Sequence, residues 1–276
     1  WLLPKYYPLM QRYMAFLLIG ASSFLILRDD KKILALLLFL LSGLLGIFTL
    51  SMTVIKQPLL PLLSGLFGAS LISLSFIKKT RVPRQDFESE GKVEGTRSAL
   101  FSSFISGSLV SFLPGLGAAQ GAVIGSSFTK LNKRAFLILL GAISTLTMGL
   151  GFTTLFAIEK SRHGVAVAAS KLLEWFTLSH FLLLLAVMLF AGGLAFLLTL
   201  KFAKVFAKNI SKVDYRKLSF GILGFILLLC VLISGWASLL VLLTGTAIGI
   251  LSSIFGVKKM HLMGCLILPV TLYFLV

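Results

Sequence analysis

The chain has 276 residues, of which 58% are hydrophobic and 13% charged, with a mean hydropathy of +1.02. Soluble domains carry roughly 45–50% apolar residues, so this surplus excludes a soluble globular fold and calls for lipid as solvent. The net charge of +17 would suit nucleic acid in a soluble protein, but the Lys and Arg lie in short connectors between apolar runs, where they set topology and meet anionic headgroups.

Uncharged or nearly uncharged runs cover 13–27, 33–55, 58–77, 98–128, 135–158, 176–200, 218–233, 236–257 and 260–276. A helix needs about 20 residues to cross about 30 Å of hydrocarbon. Most of these runs fit a single crossing, and the first, seventh and ninth are short. The run at 98–128 is too long for one span and is interrupted by Pro114-Gly115-Leu116-Gly117. Proline removes an amide donor and glycine permits non-helical angles, so the backbone breaks there into two half-helices.

Charge placement decides whether 98–128 crosses once or enters and returns. With a re-entrant hairpin, connectors 28–32, 78–97, 129–134, 201–217 and 258–259 share one side and hold 20 of the 26 Lys and Arg. With a single crossing the division is 14 against 12 and the bias vanishes. The Lys/Arg excess marks the cytoplasmic side, which favours the hairpin and places both chain ends outside the cytoplasm. The expected fold is all-α: a polytopic transmembrane bundle of about eight spanning helices plus a broken re-entrant hairpin at 98–128, in a single membrane domain over 1–276. The chain is then a multi-pass protein of the cell membrane. Connectors 78–97 and 201–217 are cytoplasmic. In 201–217, Lys201, Lys204, Lys208 and Lys212 recur beside Phe202, Phe206 and Ile210, the pattern of an interfacial amphipathic helix.

Around the break, Gly117, Gly121 and Gly125 recur every four residues, and Ser106, Ser111 and Gln120 lie close in sequence. Close helix packing explains such glycines. The second half-helix also begins with free amides and the positive end of a dipole, an arrangement that coordinates anionic groups in transporters. Ser144, Thr145 and Thr147 bring hydroxyls to the next apolar run, which by itself indicates backbone or interhelical hydrogen bonds.

Other chemistry finds little support. Cys230 and Cys265 lie in apolar runs and read as small hydrophobes. His163, His180 and His261 are scattered without metal-ligand spacing. All four Asp residues fall in polar connectors, and no nucleophile elbow, HExxH or phosphate-binding loop is present. No enzyme, metal or cofactor is expected. The chain begins at Trp1 and reads as a fragment or processed product.

The assembled motifs resemble the large membrane subunit of the tripartite tricarboxylate transporters, in particular its shorter archaeal-type branch. They are SGLLG at 42–46, PLLSGLFG at 61–68, FISGSLVSFLPGLGAAQ at 104–120, GAISTLT at 141–147, IEKSRHGVAVA at 158–168 and KKMHLMGCLILPV at 258–270. The resemblance implies a secondary carrier of organic anions whose Pro-Gly broken helix is the binding element. It places Pro114, Gly115, Gly117 and the Ser144-Thr145 pair near the site, and it implies a small membrane subunit and an extracytoplasmic binding protein as partners. Two departures stand out. An earlier Pro-Gly segment in an N-terminal half is absent here, and Ser144 replaces a more typical Asn.

The expected function is therefore alternating-access transport of a small organic anion such as a carboxylate. Ser106, Ser111, Pro114, Gly115, Gly117, Gln120, Gly121, Ser144 and Thr145 are the candidate site. A polyprenyl-phosphate lipid carrier or flippase is the nearest rival, because a Pro-Gly hairpin and a basic face also suit a lipid phosphate. An intramembrane enzyme is the more distant one.

Overall fold

A computed structural model describes residues 12–77, 94–129, 131–159, 161, 163–173, 175–210 and 214–275. Most of connector 78–97, together with Lys160, Arg162, Glu174 and Lys212, lies outside the described residues. In chain order the helices are α1 (Met14–Leu27), α2 (Lys32–Ser51), α3 (Leu59–Leu63), a π-helical segment (Ser64–Ala69) and α4 (Ser70–Ile77). Then come α5 (Thr96–Phe112), α6 (Ala118–Gly125), α7 (Lys133–Ile158), α8 (Gly164–Leu172) and α9 (Leu178–Asn209). The chain closes with α10 (Tyr215–Leu229), a second π segment (Cys230–Ser234), α11 (Ser238–Ile254), a 3-10 turn (Lys259–Met263) and α12 (Gly264–Leu275). No strand occurs among the described residues, so the all-α reading holds. Among the described residues five helices are long and apolar enough to cross a membrane: Lys32–Ser51, Leu59–Phe76, Lys133–Ile158, Leu178–Asn209 and Tyr215–Ser234. The chain forms two compact units, residues 1–18 with 88–205, and residues 19–87 with 206–276.

In the first unit, α5 and α6 both pack on α7. Asn132 starts α7: its Oδ1 accepts the Ala135 amide at 2.8 Å, the side-chain cap that satisfies a first-turn donor. Its Nδ2 donates to the Glu94 carbonyl at 3.2 Å, tying the start of α7 to the segment that leads into α5. Leu139 and Ile143 on α7 are fully buried with Ala99 and Ala122 from the two arms of the hairpin. Further along α7, Phe152 and Leu155 pack with Ala166 of α8 and with Phe176, Phe181 and Met188. The rest of α9 has no buried residue.

The second unit contains two three-helix segments that trade partners. The middle helix α2 of the first segment packs on α12 of the second, and the middle helix α11 of the second packs on α3, the π segment and α4 of the first. Small residues permit both crossings. A Cβ on Gly46 would collide with the carbonyl of Cys265, one on Gly264 with the carbonyl of Phe39, and one on Gly249 with the carbonyl of Leu66. Leu38, Leu62, Leu66, Leu262 and Cys265 fill the shared core.

Three details differ from the expected runs. The run at 58–77 widens into a π turn at Ser64–Ala69, where α11 presses its glycines against Gly65 and Leu66. The last run opens with a 3-10 turn before α12 begins at Gly264. The helix at 178 does not stop at Leu200: it continues through Asn209 as one element. Its 32 residues rise about 48 Å at 1.5 Å each, so the part carrying Lys201, Lys204, Phe202 and Phe206 extends an existing helix rather than forming a separate one. Those four side chains are exposed.

Candidate functional site

The hairpin closes as an antiparallel seam. A Cβ on Gly121 would lie 2.8 Å from Val110 Cγ2, and one on Gly125 would lie 2.8 Å from Ser106 Oγ. The Ser102 and Thr129 hydroxyls are 3.0 Å apart. The partners run in opposite order along the two arms, so the chain returns toward the end from which α5 starts. The bare face of Gly121 and Gly125 on α6 lets the two arms approach, and α7 covers the seam with Leu139 and Ile143.

The break itself is a half-buried turn between two helices. Leu113 is extended (φ −91°, ψ 115°) and its amide still donates to Leu109 O at 3.1 Å, ending α5. Gly115 has φ +79°, a left-handed angle that side chains disfavour. Gly117, extended at φ −104° and ψ 177°, caps α6. Its amide donates to Gln120 Oε1 at 3.0 Å, the backward half of a capping box. Glycine has no side chain to supply the forward half, so Gly117 offers no side-chain acceptor to the first turn of α6.

The sequence candidates therefore separate by role. Pro114, Gly115 and Gly117 are partly exposed at the break, with Ser111 half-buried one turn before it. The Ser111 hydroxyl donates to Gly107 O at 2.8 Å. Gln120 is 1% exposed and props the turn from within. Ser106 is fully buried in the seam, donating to Ser102 O at 2.7 Å, and Gly121 is buried opposite Val110. Ser144 and Thr145 are exposed, and their hydroxyls return to Leu140 O at 3.1 Å and Gly141 O at 3.2 Å. They sit about 100° and 200° around α7 from Ile143, the residue that faces the seam. The hairpin thus gathers seven of the candidates, and Ser144 and Thr145 stand on another part of the helix surface.

No Asp, Glu, Lys, Arg or His lies between Ser98 and Thr129. Anything held at the break by the hairpin meets peptide dipoles and hydroxyls rather than a formal charge. That chemistry suits a small anion which must be released again, because a helix N-terminus offers partial positive charge without a permanent counter-ion.

A second polar cluster lies in the second unit and was not singled out by spacing. Asp29 and His261, 232 positions apart, face one another with Oδ2 and Nε2 at 3.0 Å, and are 4% and 3% exposed. Beside them Lys31 Nζ donates to Phe255 O at 2.6 Å, and Lys259 Nζ donates to Ser70 Oγ at 2.7 Å. Burial alone would raise the Asp29 carboxyl. The Lys31 amide, the His261 ring and the Lys258 charge outweigh it and hold the group below its ordinary range. On the 3-10 turn, burial lowers His261, and the nearby carboxylate only partly opposes this. At neutral pH the pair is a carboxylate accepting from a neutral imidazole N–H.

Residues 1–264 match the tripartite tricarboxylate transporter TctA family. The chain belongs to that family. Neither a curated protein nor a solved structure matches it. TctA membership makes the chain a membrane-embedded transport protein of permease type, in agreement with its apolar helices.

Proposed function

We propose that this TctA chain is the permease of a secondary transporter of the cell membrane, and that it binds a small organic anion, a carboxylate, at the break between α5 and α6. Backbone amides at the start of α6 receive the carboxylate oxygens, Ser111 lines the approach, and Gln120 holds the Gly117 turn in shape. Relative motion of helical bundles then exposes the site to alternate sides. A small membrane subunit and an extracytoplasmic binding protein complete the system and deliver the solute. The observation that carries this reading is the left-handed turn at Gly115 followed by a helix start capped by a glycine, in a chain of a tricarboxylate transporter family.

The test is uptake of radiolabelled tri- and dicarboxylates into vesicles containing the protein and its partner subunits, under an imposed ion gradient. Uptake that rises with the gradient and is lost in a folded Gly117→Leu variant is the expected result. A well-folded, fully assembled system that neither binds nor moves any carboxylate overturns the reading.

A further inference from the structure

Two connector junctions hold the traded helices of the second unit together. At one, the segment before α11 meets the segment before α3: Ser234 Oγ donates to Gln57 O at 3.0 Å. At the other, the α1–α2 connector meets the α11–α12 connector through Lys31 and Phe255 and through Asp29 and His261. The partner exchange makes these junctions counterparts. One is made with a neutral hydroxyl bond, whereas the other buries an acid and a base. A buried ionic pair is often no more stabilising than apolar groups of the same volume, and the counterpart junction shows that such a contact does not require one. Among ordinary side chains histidine is the one that changes charge between pH 5 and 8.

We propose that Asp29 and His261 form a proton-binding site whose occupation opens the junction between connectors 28–31 and 255–261. With the junction closed, the imidazole has lost its water, and Lys258 stands near enough to disfavour a second positive charge. Opening returns water to both partners, so the proton binds more tightly to the open form. By linkage, acidification then favours opening. The other charged groups on the connectors are Arg28, Asp30, Lys31 and Lys259, with Lys32 at the start of α2. Helix α11 contributes no charged or titratable side chain, and α12 contributes only the Cys265 thiol and the distant Tyr273. Among the described connector residues cations therefore predominate, with Asp29 and Asp30 the acidic ones.

The test uses the full chain in lipid nanodiscs, with Cys230 and Cys265 replaced by alanine and spin labels at Ile33→Cys and Ile254→Cys. Both labelled positions are exposed and flank the junction. Between pH 8 and 5 the labelled chain should gain a longer distance, its population relative to the short one rising by up to about tenfold per pH unit below the midpoint. His261→Gln keeps a donor for Asp29 and does not titrate, so its distances should stay constant. Constant distances in the parent, or the same rise in His261→Gln, overturn the proposal. If His261→Gln does not fold, imidazole nitrogen resonances of the unlabelled chain decide. Only three histidines are present, and a His261 titration midpoint at or above the ordinary 6.5 would refute the linkage. None of these readouts needs a solute. A chain that carried no anion would leave this proposal standing, and constant distances would leave the transport reading standing.

Discussion

Replacing Gly121 with alanine tests whether the hairpin seam is set by contact. In an open helix, alanine is better than glycine by up to about 1 kcal/mol. At Gly121 the new methyl would sit 2.8 Å from Val110 Cγ2, with Ile143 Cγ2 at 3.5 Å behind it. Overpacking of this kind costs about 1–3 kcal/mol, so the net effect runs from near zero to about 2 kcal/mol of destabilisation. Val110→Ala alone removes roughly two methylene equivalents from a buried site, about 1.6 kcal/mol at 0.8 kcal/mol each. Together the changes should be less harmful than their sum by about 1–2 kcal/mol, because the methyl at 121 enters the space vacated at 110. Gly141, whose Cβ would meet nothing within 4 Å, is the control, and its alanine variant should be at least as stable as the parent. Denaturant unfolding in detergent measures the parent and all four variants, and anion uptake follows the same series. Strict additivity between Gly121→Ala and Val110→Ala would show that the arms do not meet as described.

Three further outcomes are expected. Gln120→Ala should lose about 1 kcal/mol with the Gly117 bond, whereas Gln120→Glu keeps an acceptor and adds a negative charge beside the proposed anion. Anion affinity should therefore fall at least about tenfold in folded Gln120→Glu, which should also melt earlier because its carboxylate replaces an amide that is 1% exposed; equal affinity in both would remove the anion from the break. Single cysteines at Gly95 and Leu131 should be labelled by an impermeant thiol reagent from the same side of the membrane, because the hairpin returns beside its own start; opposite labelling would show a single crossing. Stability should decline as pH falls below about 6.5, since His261 is lowered in the fold and the unfolded chain takes up the proton first. A second loss should follow below about 3.8, because Asp29 is also lowered in the fold and its share of stability disappears as pH drops through the folded value. Thermal unfolding of the parent and of His261→Gln across that range measures both, and a parent that becomes more stable between pH 7 and 5 would contradict the sign.

Sequence reading located the break because proline and glycine act locally: Pro114 to Gly117 interrupt a helix whatever surrounds them, and Gly115 takes the left-handed angle that its lack of Cβ permits. The helical class was equally legible, since a run such as 33–55 has no other way to satisfy its peptide groups in lipid. Division of labour inside the hairpin was not. Ser106 and Ser111 look alike in sequence, yet one turn of helix separates a hydroxyl sealed in the seam from one near the turn. Ser144 and Thr145 were drawn toward the site by family resemblance, and only the angle around α7 sets them apart from Ile143. The Asp29–His261 contact left no local trace, because it depends on two connectors meeting after the intervening 231 residues have folded. A lone histidine at the second residue of the apolar terminal run was the one available hint.

What the glycines touch divides the two units by mechanical character. In the second unit the tightest approaches are to backbone oxygens, Gly46 to Cys265, Gly249 to Leu66 and Gly264 to Phe39, while Gly43 meets the Leu268 side chain. A carbonyl inside a helix cannot turn aside without giving up its own hydrogen bond, so these crossings hold one register. In the first unit the partners are side chains: Val110 against Gly121, Ser106 and Leu139 against Gly125, and the His163 ring against Gly151. Rotamers can change at a cost near 1 kcal/mol, and a seam lined by them can repack while both helices stay intact. Packed interiors switch between discrete arrangements rather than deforming continuously. The hairpin therefore has the construction of a part that adopts more than one arrangement, whereas the traded helices have that of a frame. The ionisable junction is the exception within the frame, since it sits in connectors rather than at a glycine crossing. The proposed proton switch would change the contact between connectors without disturbing a helix pair, which keeps it apart from the anion binding proposed at the hairpin.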